Sequence, residues 1–215
     1  ESYFATVLTN QFTAEVWNPD GTITSITLGP GIGPSGKMNF ASGGGFSGYV
    51  KRPDWQDKAV TAYLNGANNV PPRSKFSSQG RAYPDVAIMG HNYPITINGQ
   101  TEIGSGTSAS SPVFAAMVTL VNGDRLSKGK KPLGLLNPRL YSTQAQTAGI
   151  FKTVSSGKNN CCAGQPGTCC EYGFTAWANW DPTVGHGSIN FDKFAKFFES
   201  TLDEMPAIAR SLVLL

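Results

Sequence analysis

The stretch 104–112, which reads GSGTSASSP, constrains this chain more than any other part of it. Its two leading glycines let backbone pass close to a ligand where a side chain would block it. Pro112 suits the first turn of a helix, and segment 113–126 is apolar almost all round, which predicts a buried helix. Ser108 then lies beside free N–H groups and the positive end of a helix dipole, where an oxyanion is stabilised. The pattern indicates a nucleophilic serine; a flexible turn without a catalytic role is the alternative.

Length and composition set the class of protein. At 215 residues the chain is one domain or a large part of one. Charged residues make up 14%, with 25 Gly and 14 Pro, which indicates a loop-rich, well-packed body. A net charge of +3 without a basic cluster gives no reason to expect nucleic acid, and no apolar run approaches the roughly 20 residues that span a bilayer. The chain begins at Glu1 without a signal peptide, which predicts a processed product or a fragment.

The four cysteines form one cluster, Cys161-Cys162 and Cys169-Cys170. A disulfide-stapled loop and a tetrathiolate zinc site both fit such a cluster. Zinc sites usually leave two residues between paired thiolates, which adjacent cysteines do not, so disulfides are favoured. Disulfides would indicate an oxidising or endolysosomal compartment.

Alternation and helical spacing predict strands that alternate with helices, which is typical of an α/β layered fold. The predicted strands are 3–12, 15–17 and 94–97, the predicted helices are 55–64 and 191–202, and a turn is predicted at 18–21.

A set of motifs in this chain resembles the sedolisin family of serine-carboxyl peptidases. SGTSASxP around Ser108 is the sedolisin form, whereas subtilisins tend to have Met-Ala after the serine. Other stretches that resemble the family, in family order between about Tyr3 and Phe198, are SGGGFS at 42–47, GRAYPDVA at 80–87, PLGLLNPRLY at 132–141 and WDP at 180–182.

The resemblance implies an α/β fold, a subtilisin-like α/β/α sandwich with a mostly parallel sheet that is incomplete in this chain. Residues 1–215 would be the C-terminal portion of a sedolisin-type peptidase domain. A calcium-type loop would occupy about 150–191, and a C-terminal helix and tail would occupy 191–215.

In sedolisins a Glu oriented by an Asp acts as base, and a further Asp helps to hold the oxyanion; all three precede the serine. The family's Ser-Gly-Asp-x-Gly motif is absent from this sequence, and no acidic residue before Ser108 matches these roles. The resemblance therefore implies that sequence upstream of this chain supplies them. Glu102 is interpreted as a surface carboxylate, and Asp85 as a buried acid that bonds backbone amides. Glu199 and Asp203 are interpreted as a solvated helix end.

A subtilisin-type peptidase would instead use a histidine base. The chain has two histidines, His91 and His186, and both are interpreted as surface residues. The strand at Gly43, Gly44 and Gly45, with Gly106 and Thr107 before the serine, is expected to line the cleft and to bind substrate backbone by strand addition.

The resemblance also implies one Ca²⁺ ion, held in the family by two Asp carboxylates and three backbone carbonyls. Asp181 matches the second aspartate, and the carbonyls are implied at Val154, Trp177 and Asn179. The first aspartate is replaced by Thr153, which offers a hydroxyl instead. The alternative is a metal-free loop in which Asp181 caps local amides.

The sequence thus predicts a serine-type peptidase that cleaves peptide bonds at acidic pH through Ser108, as an endopeptidase or a tripeptidyl peptidase. Its partners would be peptide or protein substrates and the N-terminal part of the same catalytic domain. The protein would be secreted or lysosomal/vacuolar, and this chain alone would be inactive and unstable. A non-catalytic sedolisin-like module or inactive fragment is the alternative, and a subtilisin-type peptidase is a third class.

Overall fold

The computed structural model describes residues 2–8, 11–17, 23–28, 43–88, 90, 93–104, 106–155, 157–160 and 169–200. The strands are β1 (Ser2–Leu8), β2 (Gln11–Trp17), β3 (Ile23–Leu28), β4 (Gly45–Lys51), β5 (Gly80–Tyr83), β6 (Tyr93–Ile97), β7 (Gln100–Gly104), β8 (Phe151–Lys152) and β9 (Ser188–Ile189). The helices are α1 (Asp54–Gly66), α2 (Thr107–Ser127), α3 (Asn137–Leu140), α4 (Thr143–Thr147) and α5 (Phe191–Ser200).

The first three strands form an antiparallel sheet in the order β1-β2-β3. The prediction of one strand over 3–12 is wrong in extent, because β1 ends at Leu8 and β2 begins at Gln11, with Leu8 paired to Gln11. The strand predicted at 15–17 lies inside β2. The turn predicted at 18–21 lies outside the described residues.

Three further strand pairs, β4–β5, β6–β7 and β8–β9, are also antiparallel. Strand β6 confirms the strand predicted at 94–97, and it forms a hairpin with β7 that ends just before the Ser108 motif. Ala87 and Ser188 form a parallel bridge. The mostly parallel sheet that the family resemblance implies is not among the strand pairings of the described residues.

The core is built around the fully buried side chain of Trp180. The rings of Tyr63 and Phe46 meet it edge-on, at centroid distances of 6.0 and 6.5 Å, and its Nε1 donates a hydrogen bond to the carbonyl of Pro84. Helix α1 confirms the helix predicted at 55–64: it carries acidic residues in its first turn, where the dipole favours them, and buries Val60 and Tyr63.

Helix α2 carries the Ser108 motif and was expected to be buried all round, which is wrong within the described residues. Val121 and Arg125 are buried, whereas Leu120 and Leu126 are 63% and 58% exposed. The helix packs against α5. Exposure here follows from what packs against a helix, which its own composition does not specify.

Helix α5 confirms the amphipathic helix predicted near the C-terminus, as far as residue 200. Phe194, Phe197 and Phe198 are buried, and Phe194 contacts Phe114 of α2 at a ring distance of 6.1 Å. Residues 201–215 lie outside the described residues. Among the described helices, none has the length and apolar character that crossing a bilayer requires.

Candidate functional site

Ser108 is the second residue of α2, and its side chain is exposed at the N-terminal end of the helix. The residue before the helix, Gly106, has extended backbone and supplies no side-chain cap. Pro112 was expected in the first turn, which is wrong, because the helix begins at Thr107 and Pro112 is its sixth residue. Since proline has no N–H, the carbonyl of Ser108 lacks its helical hydrogen bond four residues on.

Among the described residues, hydrogen bonds join the start of α2 to Ile88 and Gly90, which follow Asp85 in the chain. The amide N–H of Gly106 donates to the carbonyl of Gly90, with a distance of 2.7 Å between nitrogen and oxygen. The hydroxyl of Ser110 donates to the carbonyl of Ile88 at 3.1 Å. These two contacts lie two residues before and two residues after Ser108.

A cavity of about 570 Å³ lies beside this first turn. Thr107, like Gly43, is one of its lining residues, whereas Ser108 is not. Other residues that line the cavity are Ile88, Ser110, Phe114, Leu135, Leu136 and Val184.

The three glycines at positions 43–45, which are among those predicted to bind substrate, have different surroundings. A Cβ atom added at Gly43 would meet nothing within 4 Å, and this exposed residue lines the cavity. A Cβ at Gly44 would lie 1.7 Å from the carbonyl oxygen of Pro182, and Gly45 is buried with its Cβ position 3.3 Å from Phe174. Close packing alone therefore requires glycine at Gly44, and a substrate role for the three residues stays a prediction.

Asp85 is the centre of a cluster of side-chain hydrogen bonds. Nη2 of Arg81 donates to both of its carboxylate oxygens, at 2.8 and 2.7 Å. Asn137 donates to Oδ2 at 2.9 Å, and the hydroxyl of Tyr141 donates to Oδ1 at 2.8 Å. The prediction that Asp85 bonds backbone amides is wrong, because its partners are side chains. Sequence reasoning could not see this, since two of the partners lie more than fifty residues away.

The cluster extends into the core through Tyr141 and Gln56. Nε2 of Gln56 donates to the Tyr141 hydroxyl and to the carbonyl of Ala82, and the Ala82 amide donates to Oε1 of Gln56. Burial and the charge of Asp85 raise the pKa of Tyr141, which therefore stays a hydrogen-bond donor. Because Gln56 is itself fully buried, the cluster is rigidly held.

His186 is buried, at 3% exposure, so its interpretation as a surface residue is wrong. Its ring packs on Phe151 and Tyr141, at centroid distances of 4.8 and 4.5 Å, and its Nδ1 lies 3.3 Å from Nε2 of Gln146. Its Nε2 is buried without a partner among the described residues. Burial lowers the pKa of His186 to about 4. His91 lies outside the described residues.

Two of the remaining acids behave as expected. Glu102 on β7 is exposed, and Glu199 near the end of α5 forms an ion pair with Lys128. Asp203 lies outside the described residues.

Asp181 in the calcium-type loop is fully buried and bonds its own loop. Its Oδ1 accepts from the amides of Thr183 and Val184 and from the Thr183 hydroxyl, and its Oδ2 accepts from the amide of Trp177 at 3.0 Å. Burial raises the pKa of Asp181 to about 6, against the lowering effect of these donors. This pattern is the amide capping that the metal-free alternative describes.

The fit of this loop to calcium rests on its oxygen atoms. The Oδ2 atom of Asp181, with one donor, keeps a lone pair, and the loop offers oxygen ligands of the kind that calcium prefers. Thr153 and Asn179 are exposed, and Val154 and Trp177 are half-buried. Across the described residues, no group of three or more His, Cys, Asp or Glu side chains could hold a metal ion. Calcium binding stays a prediction.

Of the four cysteines, Cys169 takes part in a disulfide bond and Cys170 is an exposed free thiol. Cys161 and Cys162 lie outside the described residues. The pairing of the cluster as a whole, and the compartment that it would indicate, stay predictions.

Sequence reasoning missed Ser110, Asn137 and Tyr141 as contributors to this site. A signal for each was present, because Ser110 lies inside SGTSASxP and the other two lie in PLGLLNPRLY. Both stretches were noted for their resemblance and not for the contacts that their side chains make.

Comparison with known proteins finds peptidases. The chain is 39% identical to physarolisin of Physarum polycephalum over 161 residues, which is 75% of this chain and 28% of that protein. It is 42% identical to tripeptidyl-peptidase 1 of Homo sapiens and of Bos taurus, over 74% of this chain and 28% of each. The chain thus spans just over a quarter of the length of these relatives. No protein-family model matches it.

A solved structure supports the fold. It is Pseudomonas sedolisin, a serine-carboxyl proteinase complexed with two molecules of pseudo-iodotyrostatin, with a TM-score of 0.55 at 22% identity, over 93% of this chain and 45% of that one. This likeness confirms the predicted subtilisin-like α/β fold. With homology to physarolisin and tripeptidyl-peptidase 1 over about three quarters of its length, the chain belongs to the sedolisin family of serine-carboxyl peptidases.

Proposed function

We propose that this chain is the nucleophile-bearing, C-terminal portion of a sedolisin-type peptidase. Ser108 attacks the scissile carbonyl of a peptide or protein substrate. A Glu base, its orienting Asp and an oxyanion Asp come from the N-terminal part of the same catalytic domain. The enzyme acts as an endopeptidase or as a tripeptidyl peptidase.

The observation that carries the proposal is the position of Ser108. Its exposed side chain lies in the first turn of the 21-residue helix α2, beside a cavity. The positive end of the helix dipole lies at this first turn, where the amide of Ala109 already donates to the carbonyl of Gly106 at 3.0 Å. Negative charge that develops on the substrate oxygen during attack is stabilised in such a place.

A serine hydroxyl needs a base, and the described acids are engaged elsewhere or exposed. Asp85 holds Arg81, Asn137 and Tyr141, and Asp181 holds its own loop. We therefore infer that the base comes from the N-terminal part of the catalytic domain, as the resemblance to the family implies. A carboxylate base titrates below a histidine, so the activity is expected to be greatest at acidic pH.

The proposal extends to the surroundings of the enzyme. The disulfide bond of Cys169 and the expected acidic optimum suit a secreted or lysosomal/vacuolar protein. A Ca²⁺ ion would be held weakly by Asp181, the Thr153 hydroxyl and the carbonyls of Val154, Trp177 and Asn179. There it would tie the loop together, and it takes no part in the chemistry at Ser108.

A non-catalytic sedolisin-like module is the second candidate. It is favoured by the absence of the family's Ser-Gly-Asp-x-Gly motif from this sequence and by Thr153 in place of the first calcium aspartate. Against it, a binding module has little reason to keep the full SGTSASxP motif.

The test is peptide hydrolysis by the full-length protein between pH 3 and 8. We expect wild-type activity with an acidic maximum, loss of activity in Ser108→Ala, and wild-type activity in Ser127→Ala. Ser127 is a matched control because it is an exposed serine at the far end of the same helix. Full activity of Ser108→Ala would overturn the peptidase mechanism, and an inactive wild type would favour the module.

A further inference from the structure

The first turn of α2 is weakly fixed by the helix itself. Gly106 offers no side-chain cap, and Pro112 removes the hydrogen bond that the Ser108 carbonyl would otherwise accept. Contacts that this turn makes outside the helix therefore help to fix its position.

Two such contacts flank Ser108, and both reach the same segment. The amide of Gly106 donates to the carbonyl of Gly90, and the hydroxyl of Ser110 donates to the carbonyl of Ile88. The first is a backbone bond that any residue at the position can make. The second depends on a single side chain, that of Ser110.

The receiving segment is itself anchored. At its start, Asp85 accepts hydrogen bonds from three side chains, those of Arg81, Asn137 and Tyr141. Further along, the amide of Ala87 donates to the carbonyl of Gly187 at 3.0 Å. The carbonyl of Ile88 therefore belongs to an anchored part of the molecule. A hydrogen bond to this carbonyl fixes the position of the first turn of α2.

We propose that Ser110 is a positioning residue for Ser108, whose hydroxyl clamps the first turn of α2 to the carbonyl of Ile88. The inference rests on the proposed peptidase function. In this role Ser110 acts through the position of Ser108 and not on the substrate. Its loss is therefore expected to slow acylation of Ser108, and to lower kcat while KM changes little.

The test compares two substitutions of the same shape in the full-length protein. Ser110→Thr keeps the hydroxyl and Ser110→Val removes it, so any cost of the branched side chain is common to both. Ser127→Ala is the control for loss of a hydroxyl-to-carbonyl bond on the same helix, because Ser127 donates to the Asp124 carbonyl at 2.8 Å. The readouts are the rate of labelling of Ser108 by a fluorophosphonate probe, kcat and KM.

We expect Ser110→Val to label and turn over about 10- to 100-fold more slowly than Ser110→Thr, with KM within about twofold. Ser127→Ala is expected to match the wild type. Equal rates for the Thr and Val variants, or a change confined to KM, would overturn the positioning role while leaving the peptidase intact. A wild-type protein that is never labelled would overturn the proposed function, and this inference with it.

Discussion

Nη2 of Arg81 donates hydrogen bonds to both carboxylate oxygens of Asp85, at 2.8 and 2.7 Å. Arg81 lies on strand β5, and Asp85 lies two residues beyond the end of that strand. The guanidinium also lies over the ring of Trp55, 5.2 Å from its centre. The pair thus joins α1 to the segment against which the start of α2 is held.

Replacement of Asp85 by Asn is expected to destabilise the full-length protein by about 2–4 kcal/mol. The substitution removes the charge that holds Arg81 and gives the Tyr141 hydroxyl and the Asn137 amide a poorer acceptor. Urea unfolding measures the loss. Glu102→Gln, which alters an exposed carboxylate, is the control and should stay within about 0.5 kcal/mol of wild type. An equally small effect in Asp85→Asn would contradict the role of the cluster.

Gly44 and Gly43 form a matched pair for separating packing from substrate binding. Gly44→Ala is expected to cost about 3 kcal/mol or more, because its Cβ would lie 1.7 Å from the carbonyl oxygen of Pro182. Gly43→Ala meets nothing within 4 Å and should leave the unfolding midpoint unchanged. If Gly43 lines the substrate cleft, KM rises in Gly43→Ala without loss of stability; an unchanged KM would remove it from the predicted cleft.

The pKa of His186 predicts how stability depends on pH. Burial lowers it to about 4 in the folded protein, from 6.5 in the unfolded chain, so between these values the unfolded chain binds the proton more readily. The free energy of unfolding is therefore unaffected by His186 protonation above pH 6.5, and it falls by about 3 kcal/mol as the pH is lowered to 4. His186→Leu should therefore gain stability relative to wild type over this range.

The measurement is the free energy of unfolding of wild type and His186→Leu at several values between pH 4 and 7. Asp181, whose pKa is raised to about 6, has the opposite dependence, but it is present in both proteins and cancels in the difference. A difference that does not vary with pH would show that His186 is accessible to solvent in the folded state.

Local pattern predicted the elements that depend on local sequence. Helix α1, strand β6 and the described part of α5 lie where side-chain spacing placed them. The prediction that Pro112 lies in the first turn was wrong because a proline is also tolerated further inside a helix. The carbonyl that Pro112 leaves without a hydrogen bond is that of Ser108, which lies in the exposed first turn.

The sequence did not predict which side chains are buried or which residues they contact. His186 sits in a loop sequence that suits the surface, and it is buried by Phe151 and Tyr141, which come from elsewhere in the chain. The partners of Asp85 are likewise distant in sequence. The one-sided packing of α2 also depends on neighbours, since apolar composition alone does not say which elements cover a helix.

Calcium binding by the calcium-type loop can be tested at Thr153, which stands where the family has an aspartate. We expect wild type to bind Ca²⁺ with a Kd of about 1 mM, because one carboxylate is missing, so that 10 mM Ca²⁺ stabilises it by about 1.4 kcal/mol. Thr153→Asp should tighten binding about tenfold or more. Ser155→Asp adds the same charge at an exposed neighbour and should not. Calorimetry that shows no heat in either protein would leave Asp181 as a cap for its own loop alone.

The central claim is that Ser108 is the nucleophile of a carboxylate-assisted peptidase. Its most direct test is to label the full-length protein with a fluorophosphonate probe between pH 3 and 8 and to map the modified peptide by mass spectrometry. The account predicts one adduct, on Ser108, that forms fastest at acidic pH. An adduct on another serine, a rate that is greatest near neutrality, or no adduct at any pH would contradict it.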